Sequence, residues 1–159
     1  YQSTKIFEKE IDLALVTNGG LRTPIPKGNV TVGNIYELMP FNNEIVVLEL
    51  PGEIVLKLLH YAANRGNAVL SGIKFTVKNG QAYDITVNGN DFDRSKMYTL
   101  AVSDYLAGGG DNLYCLKDAT KTHQIGILFR GAIIDHIKEL TANKKQIVGT
   151  LDDRVIIVE

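Results

Sequence analysis

The chain has 159 residues, of which 45% are hydrophobic and 22% charged, and a formal net charge of −1. That composition suits one folded unit with a sizeable core. It excludes non-specific binding of DNA or RNA, which takes a basic excess, and a membrane helix, because no apolar run approaches the ~20 residues a span needs.

Residues 1–10 are polar without clear period and read as a linker or helix end, with the folded domain over 11–159. Residues 11–17, IDLALVT, read as a buried strand, broken by the turn chemistry of Asn18-Gly19-Gly20 and followed by Leu21 and Arg22. Pro24 and Pro26 keep the next residues extended. Thr31 is a good N-cap for a short helix through Met39 that Pro40 closes, and Phe41 follows at once. Residues 45–50 form a further strand, Pro51-Gly52 turns, and 53–64 carry Ile54, Val55, Leu58, Leu59 and Ala62 at the spacing of an amphipathic helix. Between 72 and 93, Asn79-Gly80 and Asn88-Gly89 separate short runs rich in Ile, Val, Phe and Thr, which is the signature of antiparallel hairpins. The strand 98–102 is expected to join that sheet. It runs into Asp104-Tyr105-Leu106 and then Gly108, Gly109 and Gly110, which can turn the chain through positive φ and admit a ligand close to the main chain. Residues 123–140 place Ile127, Leu128, Ala132, Ile133, Ile137 and Leu140 at helical spacing, and 155–158 close as a strand. This order of elements indicates an α+β fold of mixed or antiparallel sheets with flanking helices.

Few chemical constellations emerge. His60, His123 and His136 form none of the close spacings of a metal site, and His60 and His136 read as surface or edge residues of their helices. Ser71-Gly72 and Ser103-Asp104 lack the G-x-S-x-G frame of a serine nucleophile, and no Lys-Ser or Lys-Thr follows the glycine run as a phosphate loop requires. No catalytic residue and no metal ligand is assigned. Cys115 is the only cysteine, so no intramolecular disulfide can form. The first residue is Tyr1 rather than Met, so a leader or an upstream domain is expected to have been removed. Tyr105 and Asp111 flank the glycine turn. A flat aromatic face suits a base or sugar ring and a carboxylate suits hydroxyl or amine donors, although a glycine run after a strand also serves as a plain tight turn.

Three ordered motifs stand out: NGGLR at 18–22, MPFNN at 39–43 and DYLAGGGD at 104–111. Together they resemble the C-terminal, substrate-binding domain of the 5′-nucleotidase family, from about Asp12 to the C-terminus. The resemblance implies a nucleoside pocket in which Phe41 and Tyr105 are two rings that hold the base, Asp111 takes the ribose hydroxyls and Arg22 meets the phosphate. Asn18 and Asn43 become polar contacts to base or phosphate. It further implies that hydrolysis, by attack of metal-activated hydroxide on a phosphate ester, belongs to a metallophosphatase domain or separate chain with two divalent metal ions. This chain alone is then expected to be inactive and to need no cofactor of its own. A periplasmic, secreted or cell-surface location is implied by the same likeness. A non-catalytic nucleotide- or nucleoside-binding protein, or an interaction domain that keeps the fold, are the alternatives.

Each role has a structural counterpart: Phe41 as a core anchor, Arg22 as partner of a surface carboxylate, Asp111 as a turn residue bonded to its own backbone. The sequence also departs from the family pattern. The asparagine of the glycine turn falls on Asn18 if one residue is deleted, or on Thr17 if the spacing to Arg22 is kept. Tyr105 replaces phenylalanine and adds a hydroxyl that needs a partner. Asn112 stands where glycine is usual, and asparagine tolerates left-handed φ better than most residues. Residues 1–10 lack the N-x-G-N helix and the further substrate arginine that family members carry.

Overall fold

The structure, a computed structural model, describes Phe7, residues 10–150 and residues 152–158. Phe7 and Glu10 apart, the expectation for residues 1–10 therefore lies outside the described residues. Nine strands and four helices follow in order among the described residues: β1 (Leu13–Thr17), α1 (Val32–Leu38), β2 (Glu44–Pro51), α2 (Gly52–Arg65), β3 (Ala68–Ser71), β4 (Ile73–Lys78), β5 (Gln81–Val87), β6 (Asn90–Asp91), β7 (Met97–Ser103), α3 (Asp104–Ala107), β8 (Lys121–Leu128), α4 (Phe129–Ala142) and β9 (Val155–Ile157). They build two mixed sheets, ordered β3-β1-β7-β2-β8 and β6-β5-β4-β9. The α+β class expected from the sequence is the class observed.

Local chemistry accounts for most elements. Thr31 caps α1 in a reciprocal box: its hydroxyl accepts from the Asn34 backbone at 3.2 Å, and the Asn34 side chain accepts from the Thr31 backbone at 2.9 Å. Both Asn-Gly pairs make hairpins, with positive φ at Asn79, Gly80, Asn88 and Gly89, as the twist of a two-residue turn demands. The apolar face of α2 buries Val55, Leu58 and Leu59 completely, and one hydrophobic cluster runs from Leu13 and Leu100 through α2 to Phe75, Val77 and Ala82 of the second sheet. Each such aliphatic side chain contributes ~1.5–3 kcal/mol. His60 is more than an edge residue of α2, since its Nδ1 accepts from the Ala82 backbone at 3.1 Å and ties the helix to β5.

Two expectations are corrected. Strand β7 does not join the hairpin sheet; it is the middle strand of the five-stranded sheet, parallel to β1 and antiparallel to β2. Leu100, Ala101 and Val102 are all buried, so both of its faces are covered. Residues 121–128 are strand rather than helix, and α4 begins at Phe129. The helical spacing is that of α4, which holds Ala132, Ile133, Ile137 and Leu140, carried back onto Ile127 and Leu128 of the strand before it. The β2–β8 register shifts between Glu44↔Leu128 and Val46↔Gln124, and Gly126 there has φ +70°. Strand β3, which the sequence did not announce, pairs antiparallel with β1.

The pairing pattern gathers the loops. Parallel β1 and β7 send their C-terminal ends, Thr17 and Ser103, to one end of the sheet. Antiparallel β2 brings its start there, with Ile45 opposite Ser103, and β8 brings its finish, with Leu128 opposite Glu44. Three motifs far apart in sequence thus meet at one edge.

Strand β8 is held on β2 partly by charge. His123 Nε2 lies 2.8 Å from Glu49 Oε1, and Lys121 Nζ 3.7 Å from Glu49 Oε2. The His123 hydrogen bond, with help from Lys121, holds the Glu49 carboxyl below its ordinary value of 4.5. A depressed folded-state value means stability that is present above the unfolded value and lost as pH falls through the folded one. The parent should therefore melt above Glu49→Gln at neutral pH, and the gap should close below about pH 4.5. A gap unchanged at about pH 3 would assign the substitution's effect to packing rather than charge.

Candidate functional site

At that sheet edge lies a cavity of about 330 Å³, within the ~300–1,000 Å³ of small-molecule sites. Its walls come from every loop gathered there: Thr17, Gly19, Gly20 and Arg22 after β1, Met39, Phe41 and Asn43 before β2, Ser103, Tyr105, Leu106 and Asp111 after β7, and Phe129 after β8. Leu15 and Val16 of β1 complete the lining. Five of the six residues singled out from the sequence, Arg22, Phe41, Asn43, Tyr105 and Asp111, meet here.

Asn18 is not among the lining residues. Its backbone N–H donates to the Asn67 carbonyl at 2.8 Å and its carbonyl accepts from Leu21 at 3.1 Å, so it serves the 3₁₀ turn Asn18–Gly20. Thr17, the other position open to the family's asparagine, lines the cavity in its place. Phe129 was missed from the sequence because a helix expected from 123 hid it within a run of apolar residues.

Asp111 is the most constrained group of the site. Thr17 Oγ1, in a residue only 2% exposed, donates to Asp111 Oδ2 at 2.6 Å. The Tyr105 hydroxyl donates to Oδ1 at 3.0 Å and accepts from the Asp111 backbone N–H at 3.3 Å. Tyr61 of α2 donates to the Asp111 carbonyl at 2.6 Å. The hydroxyl that Tyr105 adds thus finds its partner in the carboxylate. Each carboxylate oxygen has two lone-pair sites, so both keep an accepting direction after these bonds.

The glycine run works differently from the expectation. Only Gly109 of the three has positive φ, +89°, while Asp111 and Asn112 turn left-handed at 52° and 65°. Gly110 serves close approach instead. A Cβ there would lie only 2.4 Å from the Tyr105 ring, so the ring rests directly on the Gly110 backbone while staying 54% exposed.

Phe41 is 41% exposed, too open for a core anchor. Its carbonyl accepts from Arg130 Nη1 at 2.7 Å, and Arg130 Nη2 donates to the Asn42 side chain. The Asn43 carbonyl accepts from the Phe129 backbone at 2.9 Å. Arg22 is placed by its own backbone, whose N–H donates to the Leu38 carbonyl at 2.8 Å. Its guanidinium touches only the Gly19 carbonyl, at 3.5 Å, and makes no ion pair among the described residues. A cation that lines a polar and aromatic cavity and has no carboxylate partner among the described residues suits an anionic ligand.

Among the described residues no three His, Cys, Asp or Glu side chains gather as a metal site would require. No step is assigned to a metal bound by this chain. Burial pushes the Cys115 thiol up, away from nucleophilic character.

A family profile described as 5′-nucleotidase, C-terminal domain matches residues 4–118. The chain belongs to this family. As a 5′-nucleotidase C-terminal domain it is 28% identical over 105 residues to Protein UshA of Escherichia coli K12, covering 63% of this chain and 19% of that protein. It is 26% identical over 164 residues to the cell wall protein Lmo0130 of Listeria monocytogenes, covering 92% of this chain and 21% of that one. The crystal structure of the 5′-nucleotidase precursor from Thermus thermophilus superposes with a TM-score of 0.86 at 28% identity, over 99% of this chain and 33% of that one. The 5′-nucleotidase C-terminal domain thus spans between a fifth and a third of these relatives.

The contact between Tyr105 and Gly110 yields a test of the loop. Gly110→Ala should destabilise the domain by ~1–3 kcal/mol through overpacking against the ring. In a Tyr105→Ala background the same change should cost almost nothing, by denaturant unfolding. An equal cost in both backgrounds would mean that the ring does not rest on Gly110.

Proposed function

We propose that this domain recognises a nucleotide: the base enters between Phe41 and Tyr105, Asp111 accepts from the ribose hydroxyls, and Arg22 meets the phosphate. Thr17 and Asn43 supply polar wall. One observation carries this most: two exposed aromatic rings, a carboxylate with spare accepting directions and a cation that makes no ion pair among the described residues line one cavity. Stacking a base on an aromatic side chain contributes ~1–3 kcal/mol, and a charge-assisted hydrogen bond ~1.5–3 kcal/mol. The rings supply affinity, and the carboxylate distinguishes the sugar.

Hydrolysis falls, in this proposal, to a metallophosphatase unit, fused or separate, that binds two divalent ions and activates water for attack on the phosphate ester. Support lies in the relatives, which are several times longer than this chain and some of which, from Vibrio vulnificus and Thermus thermophilus, carry 5′-nucleotidase names. A place outside the cytoplasm, periplasmic, secreted or at the cell surface, is part of the same proposal; the Listeria relative is named a cell wall protein. No helix among the described residues is long and apolar enough to cross a membrane.

Calorimetric titration separates the roles. Phe41→Ala should weaken adenosine binding by ~1–3 kcal/mol and leave the melting temperature nearly unchanged, because the ring is outside the core. Asp111→Ala, shown to remain folded, should bring the preference for adenosine over 2′-deoxyadenosine toward unity. A folded Asp111→Ala that keeps the full ribose preference would confine Asp111 to the loop. The isolated chain should release no phosphate from AMP, with or without added divalent metal; metal-dependent release would move the chemistry into this domain.

A further inference from the structure

Arg130 is the second residue of α4, next to the cavity-lining Phe129, yet it does not line the cavity itself. Among the described residues its guanidinium makes three contacts, none of them to a carboxylate. Nη1 donates to the Phe41 carbonyl at 2.7 Å, Nη2 donates to the Asn42 side chain, and the group lies over the Tyr36 ring of α1, 4.5 Å from its centroid. We infer that Arg130 is a positioning residue: it clamps residues 41–42 between α1 and α4 and so sets where the Phe41 ring stands over the cavity. As a statement about the ligand this rests on the nucleotide proposal; as a statement about the loop it does not.

The physical case is one of rigidity. A ring that is 41% exposed and follows a proline is only partly held by packing, and a wandering ring must be ordered again at each binding event. The planar fork of an arginine can hold a carbonyl and an amide oxygen at once while stacking on a tyrosine face, which a lysine point charge cannot do. Among the described residues, no other hydrogen bond holds the Phe41 carbonyl or the Asn42 side chain in place of these.

The test has two readouts. Amide hydrogen exchange of residues 41–44 reads the clamp without any ligand, and titration with adenosine and with ribose 5-phosphate, which has no base to stack, reads its consequence. Arg130→Gln should raise exchange in that segment alone by about tenfold and weaken adenosine by about tenfold, the worth of roughly one charge-assisted hydrogen bond. Ribose 5-phosphate affinity should stay as in the parent. Arg130→Lys should fall between parent and Arg130→Gln, and Asn42→Ala, which leaves the arginine in place, should shift both readouts in the same direction. Unchanged exchange in Arg130→Gln and Asn42→Ala would overturn the clamp, and an equal loss for both ligands would make Arg130 a general scaffold residue. If the parent bound no nucleoside, the nucleotide proposal would fall with the ligand half of this inference, and exchange would still decide the clamp.

Discussion

A left-handed aspartate, with hydroxyls from three elements converging on its carboxylate and its carbonyl, fixes the geometry of this end of the sheet. Asp111 takes Thr17 from the end of β1, Tyr105 from α3 and, at its carbonyl, Tyr61 from α2. Bonds to a charged group contribute ~1.5–3 kcal/mol each, against ~0.5–1.5 kcal/mol for neutral ones. The larger effect is constraint. With φ at 52° the backbone of Asp111 is in a region that few residues adopt, and the three donors hold it there. The same bonds set the Tyr105 ring, because its hydroxyl is tied to the carboxylate while its side rests on Gly110. Ring and carboxylate are therefore one mechanical unit, and a change to either moves both.

That unit stands on a rigid platform. The middle strand β7 is buried on both faces, and its parallel neighbour β1 places Thr17 beside the loop that ends in Asp111. Antiparallel β2 and β8 deliver the second aromatic wall, Phe41, and the back wall, Phe129. Binding groups on loops held by a buried sheet are a general arrangement, because loops tolerate variation and the sheet does not. Here the opposite wall depends on less: among the described residues, Phe41 stands on a short loop held by a single arginine side chain and one backbone bond at Asn43.

What could be read from the sequence was what is local. The Asn-Gly hairpins, the Thr31 cap, the amphipathic α2 and the three motifs all depend on neighbours in the chain, and each is present. What escaped depends on distant partners. Thr17 and Asp111 are 94 residues apart, and Arg130 and Phe41 are 89 apart; no spacing rule links such pairs. The sheet to which β7 belongs was misassigned for the same reason, since sequence proximity to the hairpins favoured them over β1 and β2. Strand β8 looked helical because the helical spacing of Ala132, Ile133, Ile137 and Leu140, which belongs to α4, continues backward onto Ile127 and Leu128 at the end of the strand. Of the site, the side-chain chemistry was legible in Arg22, Phe41, Asn43, Tyr105 and Asp111. Between Asn18 and Thr17 the sequence left the choice open, because it turns on which side chain faces the carboxylate.

The two rings and the carboxylate are proposed to receive a nucleoside at this edge. A crystal structure of the chain soaked with AMP tests that claim most directly. The expected result is the base between Phe41 and Tyr105, both ribose hydroxyls on Asp111 and the phosphate toward Arg22, with Thr17 still bonded to the carboxylate. AMP bound with its base away from both rings, or an Asp111 carboxylate that turns from Thr17 and leaves the ribose untouched, would contradict it.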